Sequence, residues 1–509
     1  MDISMHLVKD GREGKVLQSV LLALTYMNMG VSNTLPNATS EMLVAHLGLS
    51  LQEEDRRLSI SFSYRLLGFV CGYICGGVAF DYFILPMEQQ AMFSFLVILL
   101  AFINGAIPFI INIVRLGIVL FLSGLIMSFI TTGLVAYALA LYGINSHTCL
   151  QFIFALNQLG EVATKLAVRL DYENIQLESR IVLSYETRKE IFNKIIISFS
   201  CLTIATIVMA VAWICLYRFS PPEFKTDVPF DENHQRKASS IGFQALAVVT
   251  TLPLLINANF FSSVYDYLLS LHISKRLNRV VSVHDNILHL YFGCSVIGKY
   301  IAVGLAYKFL SPFWMIIASV SLEMIASIMM ALTGSNEDLL WWSMGLLGLS
   351  TAPLYAATIA RLNTQVMING KVLGCLFAAS TITILTSEFW LDVMITNYTE
   401  APIYFIILTP ILYAILFAIQ LSLFKLERDE EEAFLQPSDE DFSSLNSSKT
   451  DVVDVSSVQD KSSTRSVSRF RDQGSSCTSS DFTISDRAMH RIENKSLPGA
   501  RTTRSVPQF

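Results

Sequence analysis

The chain has 509 residues, 52% of them hydrophobic and only 15% charged, with a formal net charge of -6 and a mean hydropathy of +0.50. Soluble domains carry roughly a quarter charged residues, so the composition is that of a membrane protein, and the mild acidity gives no basis for nucleic-acid binding. The eight cysteines mostly fall singly in or beside apolar segments and read as buried thiols; no Cys/His spacing suggests a metal site.

A hydrocarbon core of about 30 Å needs roughly 20 apolar residues per helix, and nearly all of residues 16–424 divides into such pieces. Residues 1–15 form a short cytoplasmic N-terminus with Lys9, Arg12 and Lys15. No short apolar core with a cleavage site follows, so the first apolar run is read as a retained helix. Predicted spans of the first half are 16–36, 59–81, 90–109, 113–142, 147–168 and 192–217. Those of the second half are 242–270, 284–308, 312–333, 339–361, 371–395 and 402–424. The pattern predicts an all-α membrane protein with twelve transmembrane helices in two six-helix bundles, 16–217 and 242–424, joined by a cytoplasmic linker at 218–241. Asn37 and Asn397 open sequons in loops predicted to lie opposite the N-terminus, where glycosylation is expected. From residue 425 to 509 serine and charge dominate, predicting a disordered cytoplasmic tail. Ser466, Ser468 and Ser505 sit beside arginines there and suggest phosphorylation or a docked adaptor.

The second span, FSYRLLGFVCGYICGGVAFD, does not read as a plain anchor. Arg65 lies inside it, and Gly68, Gly72 and Gly76 repeat every fourth residue, placing them on one helix face open to close backbone approach. Gly77-x-x-x-Asp81 follows as a glycine-acid exit turn and is echoed by Gly304-x-x-x-Lys308 after the eighth span. A repeated half is how many secondary transporters are built. The expectation is that Arg65 and the glycine face belong to a moving interface, with Gly77 and Asp81 in an inner gate.

Several further charges fall within the spans: Glu161, Lys165, Asp266, Lys299, Glu323 and Glu388. Facing lipid, these and Arg65 would together cost on the order of 20 kcal/mol, so most must face one another, water or the interface. The fifth span carries Asn157, Glu161 and Thr164 on one face, flanked by Gln158 and Lys165. This stripe suits a hydroxyl-rich solute, or else Glu161 and Lys165 simply pair four residues apart. The seventh span carries Asn259, Ser262 and Asp266 on one face, read as solute-binding or as polar helix packing. Lys299 is either a gating residue or a snorkelling lysine. No phosphate-cradling glycine loop and no zinc-protease motif occurs, so neither catalytic residues nor a cofactor is expected, and transport would run on a solute or ion gradient.

The layout and the Gly77-x-x-x-Asp81 motif resemble the major facilitator superfamily, with Tyr82 where an arginine is usual. GVSNTLPNATSEMLVAHLGLS (30–50), ISFSYRLLGFVCGYICGGVAFD (60–81), LYFGCSVIGKYIAVGLAYKFLSP (290–312) and GLLGLSTAPLYAATIA (345–360) resemble the sodium-dependent glucose transporter and MFS-domain-containing protein 4 group, with Lys299 in place of an arginine. The resemblance implies alternating-access transport of a small neutral solute such as a hexose, with Na+ or H+ as a coupling ion, in the plasma membrane. It also implies acidic and amide residues around Thr131 to Val135, where this chain has Thr-Thr-Gly-Leu-Val, and a carboxylate at Asn259. Coupling would then fall to Glu161 or Asp266. The alternative is a non-transporting membrane receptor or scaffold signalling through the serine-rich tail.

Overall fold

The computed structural model describes residues 11–40, 42–43, 51–82, 89–143, 146–173, 185–219, 245–256, 281–332, 337–366, 368–397, 408–422 and 425. Six helices make the first half: α1 (Gly11–Ala38), α2 (Leu51–Tyr82), α3 (Gln89–Ala106), α4 (Ile113–Tyr142), α5 (Ser146–Glu173) and α6 (Tyr185–Phe219). The second half holds α7 (Ala245–Ile256), α8 (Val281–Lys308), α9 (Pro312–Leu332), α10 (Glu337–Thr351), α11 (Leu354–Gln365) and α12 (Gly370–Asn397). It ends with α13 (Leu408–Ser422). α10 and α11 are one span broken at Ala352 and Pro353. Among the described residues, seven helices are long and apolar enough to cross a membrane.

The helices overrun the apolar runs where polar residues at their ends still favour a helix. Thus α2 starts at Leu51 and α6 at Tyr185, several residues before their predicted spans. Within the spans, hydroxyls bond back to carbonyls one turn earlier, as Thr25 does to Leu21 (2.7 Å), Thr132 to Ser128 (3.0 Å) and Thr206 to Leu202 (2.7 Å). Each of these hydroxyls is thereby satisfied within its own helix. At the end of α4, Gly143 turns the chain with φ 53°, a left-handed conformation that favours glycine.

Packing follows a paired pattern. α2 lies along both α4 and α12, α1 along α5, α3 along α6, and α8 along α10 and α5. The largest apolar cluster runs through Leu22, Phe93, Leu134, Tyr137 and Trp213 of the first half into Ile359, Leu373 and Phe377 of the second. Separate clusters lie inside each half, one around Ile107, Leu116 and Phe199 and the other around Ile316, Leu354 and Tyr413.

Two local expectations are corrected. Gly77 to Asp81 is no exit turn but the last full turn of α2, which runs on to Tyr82. Asn37 is not in a loop: it lies exposed in the last turn of α1, while Thr39 of its sequon is buried and donates to the Leu35 carbonyl (2.8 Å). Asn259, Asp266, the linker at 218–241 beyond Phe219, and the tail beyond Lys425 lie outside the described residues, and Asn397 is described only as the last residue of α12.

Candidate functional site: a seam between the halves

The glycine face of α2 serves a contact within the first half. A Cβ on Gly68 would strike the Phe121 carbonyl, one on Gly72 the Leu125 carbonyl and the Ser128 hydroxyl, and one on Gly76 would come within 3.0 Å of the Phe129 Cα. All four partners belong to α4. Gly124 of α4 returns the contact against the Arg65 carbonyl. The neighbouring face of α2 meets the second half. A Cβ on Gly77 would lie 3.1 Å from the Gly370 carbonyl carbon, and one on Gly374 would strike the Tyr73 carbonyl. Backbones of α2 and α12 therefore touch through a small-residue pair on α12, Gly370 and Gly374, spaced like a membrane-helix packing motif.

Asp81 completes this contact. Its Oδ1 accepts from the Gly370 N–H (2.7 Å) and its Oδ2 from the Lys371 N–H (2.9 Å). Since the Leu373 N–H bonds the Asn369 carbonyl (3.1 Å), Gly370 and Lys371 open the helix and their N–H groups have no partner inside it. A carboxylate here satisfies two orphan donors and meets the positive end of the helix dipole. Other hydrogen bonds join the halves at the same end. Asn363 Nδ2 donates to the Gly143 carbonyl (3.2 Å), Thr148 Oγ1 to the Ala306 carbonyl (3.2 Å) and Gln151 Nε2 to the Pro353 carbonyl (3.0 Å). This closed end is also where α1 begins.

One to two helical turns further in, aromatic rings from five helices form a belt. Tyr26 of α1 meets Phe154 of α5 edge-on (5.6 Å between centroids), Phe154 meets Tyr355 of α11 (4.9 Å), and Tyr355 stacks on Phe377 of α12 (5.8 Å). Phe377 meets Tyr73 of α2 (5.3 Å), which stacks with Phe69 (6.3 Å). Offset and edge-on pairs of this kind are favourable, and the belt crosses from one half to the other twice.

Beyond the belt, α5 presents its polar stripe. Asn157 Nδ2 donates to Glu161 Oε1 (3.1 Å), and both side chains are half-buried. Gln158 is buried. Lys165 places its ammonium 3.5 Å from the centre of the Phe292 ring on α8, a cation–π contact. Lys299 of α8 is half-buried and lies within electrostatic reach of Glu161. The stripe thus faces α8, and its two cations come from opposite halves.

Arg65 is buried inside the first half. Its Nη1 donates to the Asn33 carbonyl (2.7 Å) and its Nη2 to the Ser32 carbonyl (2.8 Å), with Met127 Sδ at 3.5 Å. Pro36 lies inside α1 and has no N–H for the carbonyl four residues back, that of Ser32. Arg65 supplies the missing donor, and Asn104 Nδ2 reaches the Ser32 hydroxyl (3.2 Å). Around Thr131 to Val135, where the resemblance implied polar groups, a Cβ on Gly133 would run into Phe80 and Phe93, so that position is filled by packing.

Sequence reasoning missed Gly370, Gly374, the belt and the service of Arg65 to Pro36. Gly370-x-x-x-Gly374 and the offset of four from Ser32 to Pro36 were readable signals; isolated aromatics in an apolar chain were not.

The sequence matches no protein-family model and no curated relative. Among solved structures it is similar to FucP, a major facilitator superfamily transporter in the outward conformation, at 15% identity and TM-score 0.62, covering 81% of this chain and 99% of that one. A second structure of FucP, the E. coli fucose:proton symporter, gives 14% identity and TM-score 0.61 with the same coverage. The proton:xylose symporter XylE bound to 6-bromo-6-deoxy-D-glucose gives 13% identity and TM-score 0.59, covering 79% of this chain and 95% of that one. At such identities the likeness is one of fold, and on it the chain is a multi-pass integral membrane protein with the major facilitator fold.

Proposed function

We propose that the chain is a secondary transporter that moves a hexose-like sugar by alternating access, with the seam between its halves as the moving interface. The observation that carries the reading is the pair of hydrogen bonds that Asp81 accepts from the Gly370 and Lys371 N–H groups. They join helix ends 289 and 290 residues apart in sequence. Together with the three other hydrogen bonds between the halves at that end, they form a junction of exchangeable contacts that can open without unfolding either half.

The solute path runs beyond the aromatic belt, along Asn157, Gln158 and Glu161, joined in this proposal by Asn259 and Asp266. Amide and carboxylate groups suit sugar hydroxyls, and half-exposed rings such as Tyr73 and Tyr355 suit the apolar face of a pyranose. Sugar as the solute class draws support from the fold shared with sugar:proton symporters. A proton or Na+ is the proposed coupling ion, with Glu161 as its carrier because that carboxylate accepts from Asn157 and lies within electrostatic reach of Lys299. Arg65 and the Gly68, Gly72 and Gly76 face keep the first half rigid while Gly77, Asp81 and Lys299 take part in gating. The test is uptake of labelled hexoses into proteoliposomes under an inward sodium gradient, an inward proton gradient and none. Uptake of at least one hexose is expected, driven by one of the gradients; no uptake of any sugar by folded protein would reject the reading.

A further inference from the structure

At the closed end, α9, α11 and α13 surround a guanidinium that has no hydrogen-bond partner among the described residues. Arg361 of α11 lies beside a pair of rings, 4.8 Å from the centre of Phe313 on α9 and 5.1 Å from that of Phe417 on α13. The two rings lie 5.9 Å apart, close to parallel. Cation–π contacts of this kind hold a guanidinium against the rings without using its N–H groups as hydrogen-bond donors. Among the described residues none is supplied: Arg361 makes no hydrogen bond or ion pair through its side chain there, and its Nε is buried without a partner. One turn further along α11, on the same face, Gln365 keeps a buried Oε1 with no donor. A buried donor and a buried acceptor, both unmet and one turn apart, call for a ligand that offers the opposite of each.

The depth of the site says where such a ligand would come from. Arg361 is four residues from the end of α11, and Phe313 is the second residue of α9. Around them Tyr307, Phe309 and Trp314 are 70%, 78% and 58% exposed, and Lys308 lies over the Tyr307 ring. Exposed aromatics with a lysine among them mark the boundary between hydrocarbon and headgroups. Basic pockets between helices at that boundary bind phospholipid headgroups.

We infer that Arg361, Gln365, Phe313 and Phe417 form a site for an anionic phospholipid headgroup that bears a hydroxyl. Its phosphate accepts from the guanidinium of Arg361, and its hydroxyl donates to Gln365 Oε1. The ligand bridges α9, α11 and α13 from the membrane side and lies apart from the solute path.

The test is native mass spectrometry of the delipidated full chain, titrated with dioctanoyl-phosphatidylglycerol, dioctanoyl-phosphatidylcholine or inorganic phosphate. The glycerol lipid is expected to bind about tenfold more tightly than the choline lipid, whose headgroup is neutral and has no donor. Arg361→Gln should abolish the preference, and Gln365→Leu should weaken it. Equal binding of the two lipids by the unaltered protein would overturn the inference without recourse to any variant. So would displacement of the lipid by millimolar inorganic phosphate, which would mark a free-anion site. Sugar uptake is not the readout, so failure here leaves the transport reading standing.

Discussion

Two seams join the halves, and they are built differently. Where α2 meets α12, glycines bring backbones into contact and Asp81 caps a helix start. Where α8 meets α5, the position echoing Asp81 is Lys308, a cation that cannot accept from the N–H groups at the start of α5. That start is held instead by Thr148 on the Ala306 carbonyl, and among the described residues Ser146 Oγ and His147 Nε2 are buried without a partner. The echo therefore carries neither the charge nor the close backbone approach to the second junction, since a Cβ on Gly304 would meet nothing within 4 Å. In the proposed cycle the α2 side, with its cap and its glycine contacts, sets the stability of the closed end.

Substitutions can break or sharpen that contrast. The largest effect is expected from Gly72→Leu, which forces a side chain into the α4 backbone and should cost on the order of 3 kcal/mol. It should act on folding, read as loss of surface expression and a lower melting temperature. Gly77→Leu meets α12 only while the end is closed. It should leave expression intact and place about 2 kcal/mol on the closed state alone, an at least tenfold shift of populations. Uptake should fall accordingly. If the two glycines behave alike, the distinction between a packing face and a gating face fails.

Asp81→Asn keeps one acceptor but removes the charge from the helix start, which should weaken closure by about 1 kcal/mol, roughly fivefold. The population with a longer distance between spin labels on Cys75 and Cys375, both exposed free thiols, should rise by a similar factor. Arg65→Met should destabilise the first half, and combining it with Pro36→Ala should recover about 1 kcal/mol in thermal unfolding, because the restored N–H can bond the Ser32 carbonyl. Additive losses would show that Arg65 does not serve the proline. The smallest change is Lys308→Asp, which gives the second seam a cap; it should stabilise the closed end by about 0.5 kcal/mol, visible as a smaller population of the longer Cys75–Cys375 spin-label distance.

The apolar runs made the helices legible, because each span must satisfy its own backbone in lipid and so betrays itself by length alone. The face of Gly68, Gly72 and Gly76 was legible as a place of close approach, but periodicity names a face and never its partner; that partner is α4. Asp81 could be read only as a gate candidate, not as the partner of the helix start near Gly370 that it reaches. The belt was not legible at all. Tyr26, Tyr73, Phe154, Tyr355 and Phe377 come singly from separate helices in a chain with 33 phenylalanines and 18 tyrosines, and an aromatic facing lipid looks the same in sequence as one facing the opposite half.

The central claim is that the α2–α12 seam opens and closes under the control of Asp81. Cys75 on α2 and Cys375 on α12 are both exposed free thiols, and spin labels on this pair, with the other cysteines replaced, report the seam directly. The account predicts one short distance for the parent protein in proteoliposomes and a second, longer one that gains population in Asp81→Asn and on adding a transported hexose. A single unchanged distance under all three conditions would contradict it.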